Sequence, residues 1–157
     1  MVYLEPREFQ STWVGNKAVY RTRMAMADGG ELLILAPGVR CFGEDETNDA
    51  IIRRYGYCGR EKVLELFGTE KLLRENMGAA AHLIHGSSDG RFSVTYAVKE
   101  ISKEEIENVH FQAVDYDAAA GRYDVSRLKD GWNQMEDGEE IYFVRNPALG
   151  LWAVKKA

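Results

Sequence analysis

The run ELLILA, Glu31 to Ala36, limits the folding options of this chain more than any other stretch. It is short, apolar after its first residue, and bounded by Gly29-Gly30 on one side and Pro37-Gly38 on the other. That pattern describes a strand buried on both faces, which belongs in a parallel sheet covered by helices.

The flanking segments supply the rest of such a sheet. Val2-Tyr3-Leu4 reads as a strand closed by Pro6, and Trp13 to Lys17 as a loop entering a helix over Ala18 to Ala27. Asp28-Gly29-Gly30 stops that helix, since glycine takes the left-handed cap conformation readily. The acidic cluster Glu44-Asp45-Glu46 suits a helix start and predicts a helix to Tyr55, ended by Gly56. Helices are expected over Glu61 to Phe67 and from Glu70 to about His85. In the second, Leu72, Leu73, Met77, Ala80, Ala81 and Ile84 recur at helical spacing. Its small residues Gly78 to Ala81 admit a close neighbour, either backbone or ligand.

Phe92 to Val98 alternates and is rich in strand formers. Ser102 to Glu105 has the capping-box arrangement. Phe111 to Val114 reads as a strand, Ala118 to Leu128 as a polar helix, and the chain through Trp132 as a loop. Glu140 to Arg145 is another strand, with Leu149 to Val154 as a possible partner. Alternation of this kind predicts one α/β domain over residues 1–157, a three-layer sandwich with a largely parallel central sheet, Rossmann-like in outline.

Bulk properties exclude several classes. The chain has 157 residues, enough to bury a real core. A net charge of -5 argues against a general nucleic-acid or anionic-membrane binder. No apolar run approaches the roughly 18 residues of a membrane span, and MVYLEPREFQ is no signal peptide. Two cysteines, Cys41 and Cys58, make neither a disulfide scaffold nor a metal-like pair. A soluble cytoplasmic domain is expected. A chain that opens directly on a core-type strand also looks like a piece of a longer one.

Ligands of open α/β sheets bind beyond the carboxyl ends of the strands. Three loops are expected there: Pro6 to Lys17, Pro37 to Asp45 and Val98 to Ser102. Arg40 could hold a carboxylate or phosphate bidentately, or simply pair with Glu44-Asp45-Glu46. Cys41 has no base beside it in sequence and reads as a bystander thiol. Lys17, near a helix start, could meet an anion or be a solvated cap residue. Neither G-x-G-x-x-G nor G-x-x-x-x-G-K-[ST] occurs, so the fold carries no dinucleotide or ATP fingerprint.

His82 and His85, in AAAHLIHGSSDGRF, fall on one helix face with β-carbons roughly 5–6 Å apart. They could bind a metal with a third ligand, move protons, or hydrogen-bond one polar substrate. Equally, two imidazoles at a helix C-terminus complement its dipole, with Gly86 as the cap.

Three phrases carry a family resemblance: KAVYRTRMAMADGGELLILAPGVRCFGED, AAAHLIHGSSDGRFSVTY and GWNQMEDGEEIYFVRNPALGLWA. Together they resemble the C-terminal half of nickel-dependent lactate racemase-like proteins, and more closely the branch labelled D-mannonate epimerase or racemase-related. The resemblance implies a two-domain isomerase with its active site in the cleft between domains. It implies a nickel pincer nucleotide held mainly by the N-terminal domain, with no cofactor expected in this chain alone. The cofactor takes a hydride from the α-carbon of a 2-hydroxy acid and returns it to either face. The family's C-terminal domain supplies a Gln and a Lys, three residues apart on a helix, and an aromatic group. His82 and His85 match that spacing but not those residue types, which suits a larger polyhydroxylated acid better than lactate. Trp132 and Trp152 are the aromatic candidates. Trp132 is favoured by its polar loop, whereas Trp152 reads as a core residue.

The expectation is therefore half an enzyme: a racemase or epimerase domain for a small hydroxy acid, inactive without its N-terminal partner. His82 and His85 are its catalytic candidates, and Arg40, Trp132 and Lys17 its substrate-binding ones. The alternatives are a stand-alone module binding a small acid or nucleotide, and a structural interaction domain.

Overall fold

Residues 1–155 are described by a computed structural model, centred on four parallel strands. In chain order the elements are β1 (Val2–Tyr3), α1 (Thr12–Gly15), α2 (Lys17–Tyr20), β2 (Glu31–Ala36), α3 (Glu46–Tyr55) and α4 (Arg60–Thr69). They continue with α5 (Lys71–Glu75), α6 (Met77–His85), β3 (Ser93–Val98), α7 (Lys103–Asn108), β4 (Gln112–Asp115) and α8 (Tyr116–Arg122). A hairpin of β5 (Gly131–Gln134) and β6 (Glu140–Phe143) and a 3-10 turn (Pro147–Leu149) complete the chain.

The sheet order β1-β2-β3-β4 follows the chain, with Val2 opposite Ile34, Ile34 opposite Tyr96, and Tyr96 opposite Ala113. Parallel neighbours joined in sequence by crossovers of one hand put their connecting helices on one face. Accordingly Leu32, Ile34, Val94, Tyr96 and Val98 share one large core with Val19, Ile52, Val63, Leu83 and Ile106 from the helices. The opposite face is smaller: Leu35 and Ala97 are buried there, and α8 lies against β2, β3 and β4. The sheet is thus covered on both sides, as ELLILA requires, but unequally. The α/β sandwich is Rossmann-like, and burying the Leu, Ile and Val side chains of its central strands contributes on the order of 2 kcal/mol each.

Side-chain caps set four of the eight α-helix starts among the described residues. Asp45 accepts from Asn48 N at the head of α3 and Asp115 from Ala118 N at α8. Ser102 and Glu105 form the capping box of α7. Gly56, at φ 65°, ends α3.

Four local expectations are corrected. The helix over Ala18 to Ala27 starts earlier, at Thr12, because Ser11 caps it, and stops at Tyr20. Beyond Tyr20 the backbone turns to the C-terminal segment, where Trp152 N donates to Arg21 O and Val154 N to Met24 O. Leu149 to Val154 therefore pairs there and not with β6. The helix over Glu70 to His85 breaks at Asn76, whose side-chain amide donates to Leu72 O and competes with the ladder. The loop through Trp132 is a strand, since Asp137-Gly138 closes a hairpin with Gly138 at φ 89°.

No helix among the described residues is long and apolar enough to cross a membrane.

Candidate functional site

The strand-end loops expected to hold ligand are largely occupied with each other. Thr12 N donates to Cys41 O and Trp13 N to Phe42 O, joining the segment after β1 to the one after β2. A β-carbon on Gly38 would stand 2.5 Å from Pro6 O, so glycine is required by space there. Arg40 donates to Gln10 Oε1 at 2.7 Å, not to the acidic run, because the seam holds Gln10 beside it. The Cys41 thiol is pushed up, chiefly by burial and then by Asp49, which leaves it a poor nucleophile.

The seam delivers a second set of groups. Thr12 to Tyr20 is nearly one helix, pinched at Asn16, so Trp13, Lys17 and Tyr20 fall along one stripe. The end of α6 lies against that stripe. Trp13 stacks on the His82 ring with centroids 4.3 Å apart and planes 22° apart. Tyr20 faces His85 at 6.2 Å. His82 Nε2 is 2.8 Å from the Tyr57 hydroxyl, which is 2.8 Å from Thr12 Oγ1. Tyr57 itself stacks on Phe111 at 4.5 Å, just ahead of β4.

The two histidines therefore differ sharply in setting. His82 is mostly enclosed; burial, and secondarily the nearby His85, lower its pKa to about 4, so the ring is neutral near pH 7. His85, one turn on, is exposed. Gly86 does cap α6, but its φ is -79°, a conformation any residue adopts. Glycine is needed because a β-carbon would meet the Asn16 side-chain amide and stand 2.6 Å from the Tyr57 ring. In Gly78 to Ala81, Ala79 and Ala80 are buried in the helical layer, while nothing approaches Gly78.

Of the predicted residues, His82 and His85 meet the α1–α2 stripe through Trp13 and Tyr20, and Lys17 falls on that stripe by its spacing. Arg40 is held by Gln10. Trp132 is 67% exposed on β5 and meets Tyr142 edge-on at 5.4 Å. Trp152 is half-buried against the core edge. Sequence reading missed Thr12, Trp13, Tyr20 and Tyr57. The spacing of Trp13, Lys17 and Tyr20 was a usable helical signal; Tyr57 had none, because its partners are all distant in the chain.

Chemically, the face offers a neutral imidazole, an exposed imidazole and a lysine beside aromatic rings. It can hold a small acid or hydroxyl compound. It does not fit a metal chelate: Nε2 of His82 is committed to Tyr57, and the described residues include no group of three or more His, Cys, Asp or Glu placed to hold an ion.

No family model and no curated protein sequence matches the chain. Among solved structures it is similar to a Thermotoga maritima protein from structural genomics, 24% identical with a TM-score of 0.60, over 82% of this chain and 31% of that one. It is also similar to the lactate racemase apoprotein of Thermoanaerobacterium thermosaccharolyticum, 10% identical with a TM-score of 0.54, over 98% of this chain and 35% of that one. The chain thus spans about a third of the length of each. At these identities the likeness speaks for architecture: the chain has a lactate racemase-like α/β fold.

Proposed function

We propose that this chain is one domain, the C-terminal one, of a racemase or epimerase acting on a 2-hydroxy acid, inactive until a second domain completes its site. The observation that carries the reading is the likeness to lactate racemase over 98% of this chain, in a protein about three times as long. The open face bearing His82, His85 and Lys17 supports it, because it offers polar groups for a small acid on a surface that another body can close over.

In this reading Lys17 and His85 meet the carboxylate, and His82 meets the oxygen on the adjacent carbon. Histidines in place of Gln and Lys favour a polyhydroxylated acid of the mannonate kind. The nickel pincer nucleotide belongs mainly to the other domain, and this chain alone carries no cofactor. Arg40 and Trp132 remain outside the face, and join the site only through contacts supplied by that domain. The enzyme acts in the cytoplasm, with no nucleic-acid or membrane partner.

The test is reconstitution. The chain is assayed on lactate and on aldonic acids by chiral chromatography, alone and with a cofactor-loaded N-terminal racemase domain from the same organism. No turnover alone and clear turnover with the partner is the expected result. Inactivity with a properly loaded partner, together with tight acid binding by the isolated chain, would support a stand-alone binding module instead.

A further inference from the structure

The hydrogen-bond chain behind His82 has a direction, and that direction determines what the imidazole can recognise. It ends at the carbonyl oxygen of Phe42, which can only accept. This oxygen accepts from Trp13 N at 2.8 Å and from the Thr12 hydroxyl at 3.2 Å. A threonine hydroxyl has one proton, and here it is directed at Phe42. The 2.8 Å contact between Thr12 and Tyr57 then needs the tyrosine proton, so Tyr57 donates to Thr12. The 2.8 Å contact between Tyr57 and His82 needs a proton in turn, and the remaining source is Nε2–H of the ring.

The ring cannot turn away from this arrangement. Trp13 covers one face at 4.3 Å, Tyr57 meets its edge at 5.5 Å, and Tyr57 is itself clamped on Phe111. Nδ1 has no hydrogen-bond partner among the described residues and is not fully sealed from solvent.

We propose that Tyr57 and Thr12 are positioning residues that hold His82 as the Nε2–H tautomer, so that its free Nδ1 accepts a hydrogen bond from a ligand hydroxyl. A neutral ring with a bare lone pair accepts from a hydroxyl and repels a carboxylate. The selected ligand class is therefore an acid that carries a hydroxyl, with His82 reading the hydroxyl and not the carboxylate. The ligand part of this inference rests on the functional reading above; the tautomer part stands on the geometry alone.

The experiment is long-range proton–nitrogen NMR on the whole chain labelled with 15N-histidine at pH 7, with His82→Gln used to assign the signals. Wild type should show a proton-bearing Nε2 and a bare Nδ1 for His82. Thr12→Val removes the acceptor from Tyr57, whose proton then swings to Nε2, so the ring should switch to the Nδ1–H form. Thr12→Ser should keep the wild-type form, and serves if the valine variant fails to fold. A wild-type Nδ1–H ring overturns the tautomer and leaves the racemase reading standing. The same follows if Thr12→Val folds and leaves the tautomer unchanged.

Titration then separates the ligand part. Lactate should shift the His82 Nδ1 signal, and propionate, which lacks the hydroxyl, should not. Equal responses, or no response to lactate, overturn hydroxyl recognition with the tautomer intact. A lactate-specific shift without activity on reconstitution overturns the racemase reading alone.

Discussion

His82 and Trp132 were both singled out as ligand-facing residues, and the structure puts them in opposite kinds of surroundings. The His82 ring is held by groups from two separate parts of the chain: Trp13 on α1, and Tyr57 after α3, which Thr12 of α1 braces from behind. Trp132 has one ring partner, Tyr142, which faces it across the ladder of its own hairpin. The first site is a tertiary product in which every group is braced by another. The second is local, and most of its indole remains in water. Rigid positioning of a polar group needs the first kind of arrangement. An exposed cross-strand pair needs only a turn of the right type.

The comparison can be broken most sharply at two glycines. Gly86→Ala should destabilise the fold by about 3 kcal/mol, because the new methyl group meets a buried amide and a clamped tyrosine ring that cannot yield. Urea unfolding measures it, and a loss well below this would mean that the His82 surroundings are looser than described. Gly138→Ala, in the hairpin turn, meets no neighbour but has to hold φ 89°, so about 1–2 kcal/mol is expected. Asparagine tolerates such a turn, so Gly138→Asn should recover much of that loss, whereas Gly86→Asn should be worse than Gly86→Ala.

Acid sharpens the difference on the His82 side. Its folded pKa of about 4 lies below the ordinary 6.5, so the unfolded chain takes up a proton more readily than the folded one. Stability from this group is undiminished above pH 6.5, falls as pH drops from 6.5 toward 4, and levels off below. The full loss is roughly 3 kcal/mol. His82→Gln should flatten that part of the stability profile, measured by urea midpoints between pH 7 and pH 4; an unchanged slope would show that His82 is not desolvated. The smallest effect belongs to the hairpin. Trp132→Ala should cost about 0.5 kcal/mol, the value of one exposed cross-strand pair, and leave the His82 NMR signals untouched.

Much of the fold was legible because its signals are local. The run ELLILA, the Ser102 capping box and the helix start at the acidic cluster Glu44-Asp45-Glu46 each depend on residues within a few positions, and each forms as expected. The hairpin was missed although its turn signal, Asp137-Gly138, is local, because the polar composition around Trp132 read as a loop. The helix end at Tyr20 was not legible, because the carbonyls of Arg21 and Met24 are taken by residues 131 and 130 positions further along.

The site shows the same division. Sequence alone determined that the two histidines share a helix face and that a parallel sheet lies beneath them, since periodicity and apolar runs are properties of adjacent residues. Only the tertiary structure decided that His82 is enclosed and neutral while His85 is exposed, and that Arg40 goes to Gln10. Burial and hydrogen-bond direction depend on which distant groups arrive, and here they arrive because the chain segments after β1 and β2 are joined edge to edge. That seam places Thr12 and Trp13 where Tyr57 and His82 can meet them.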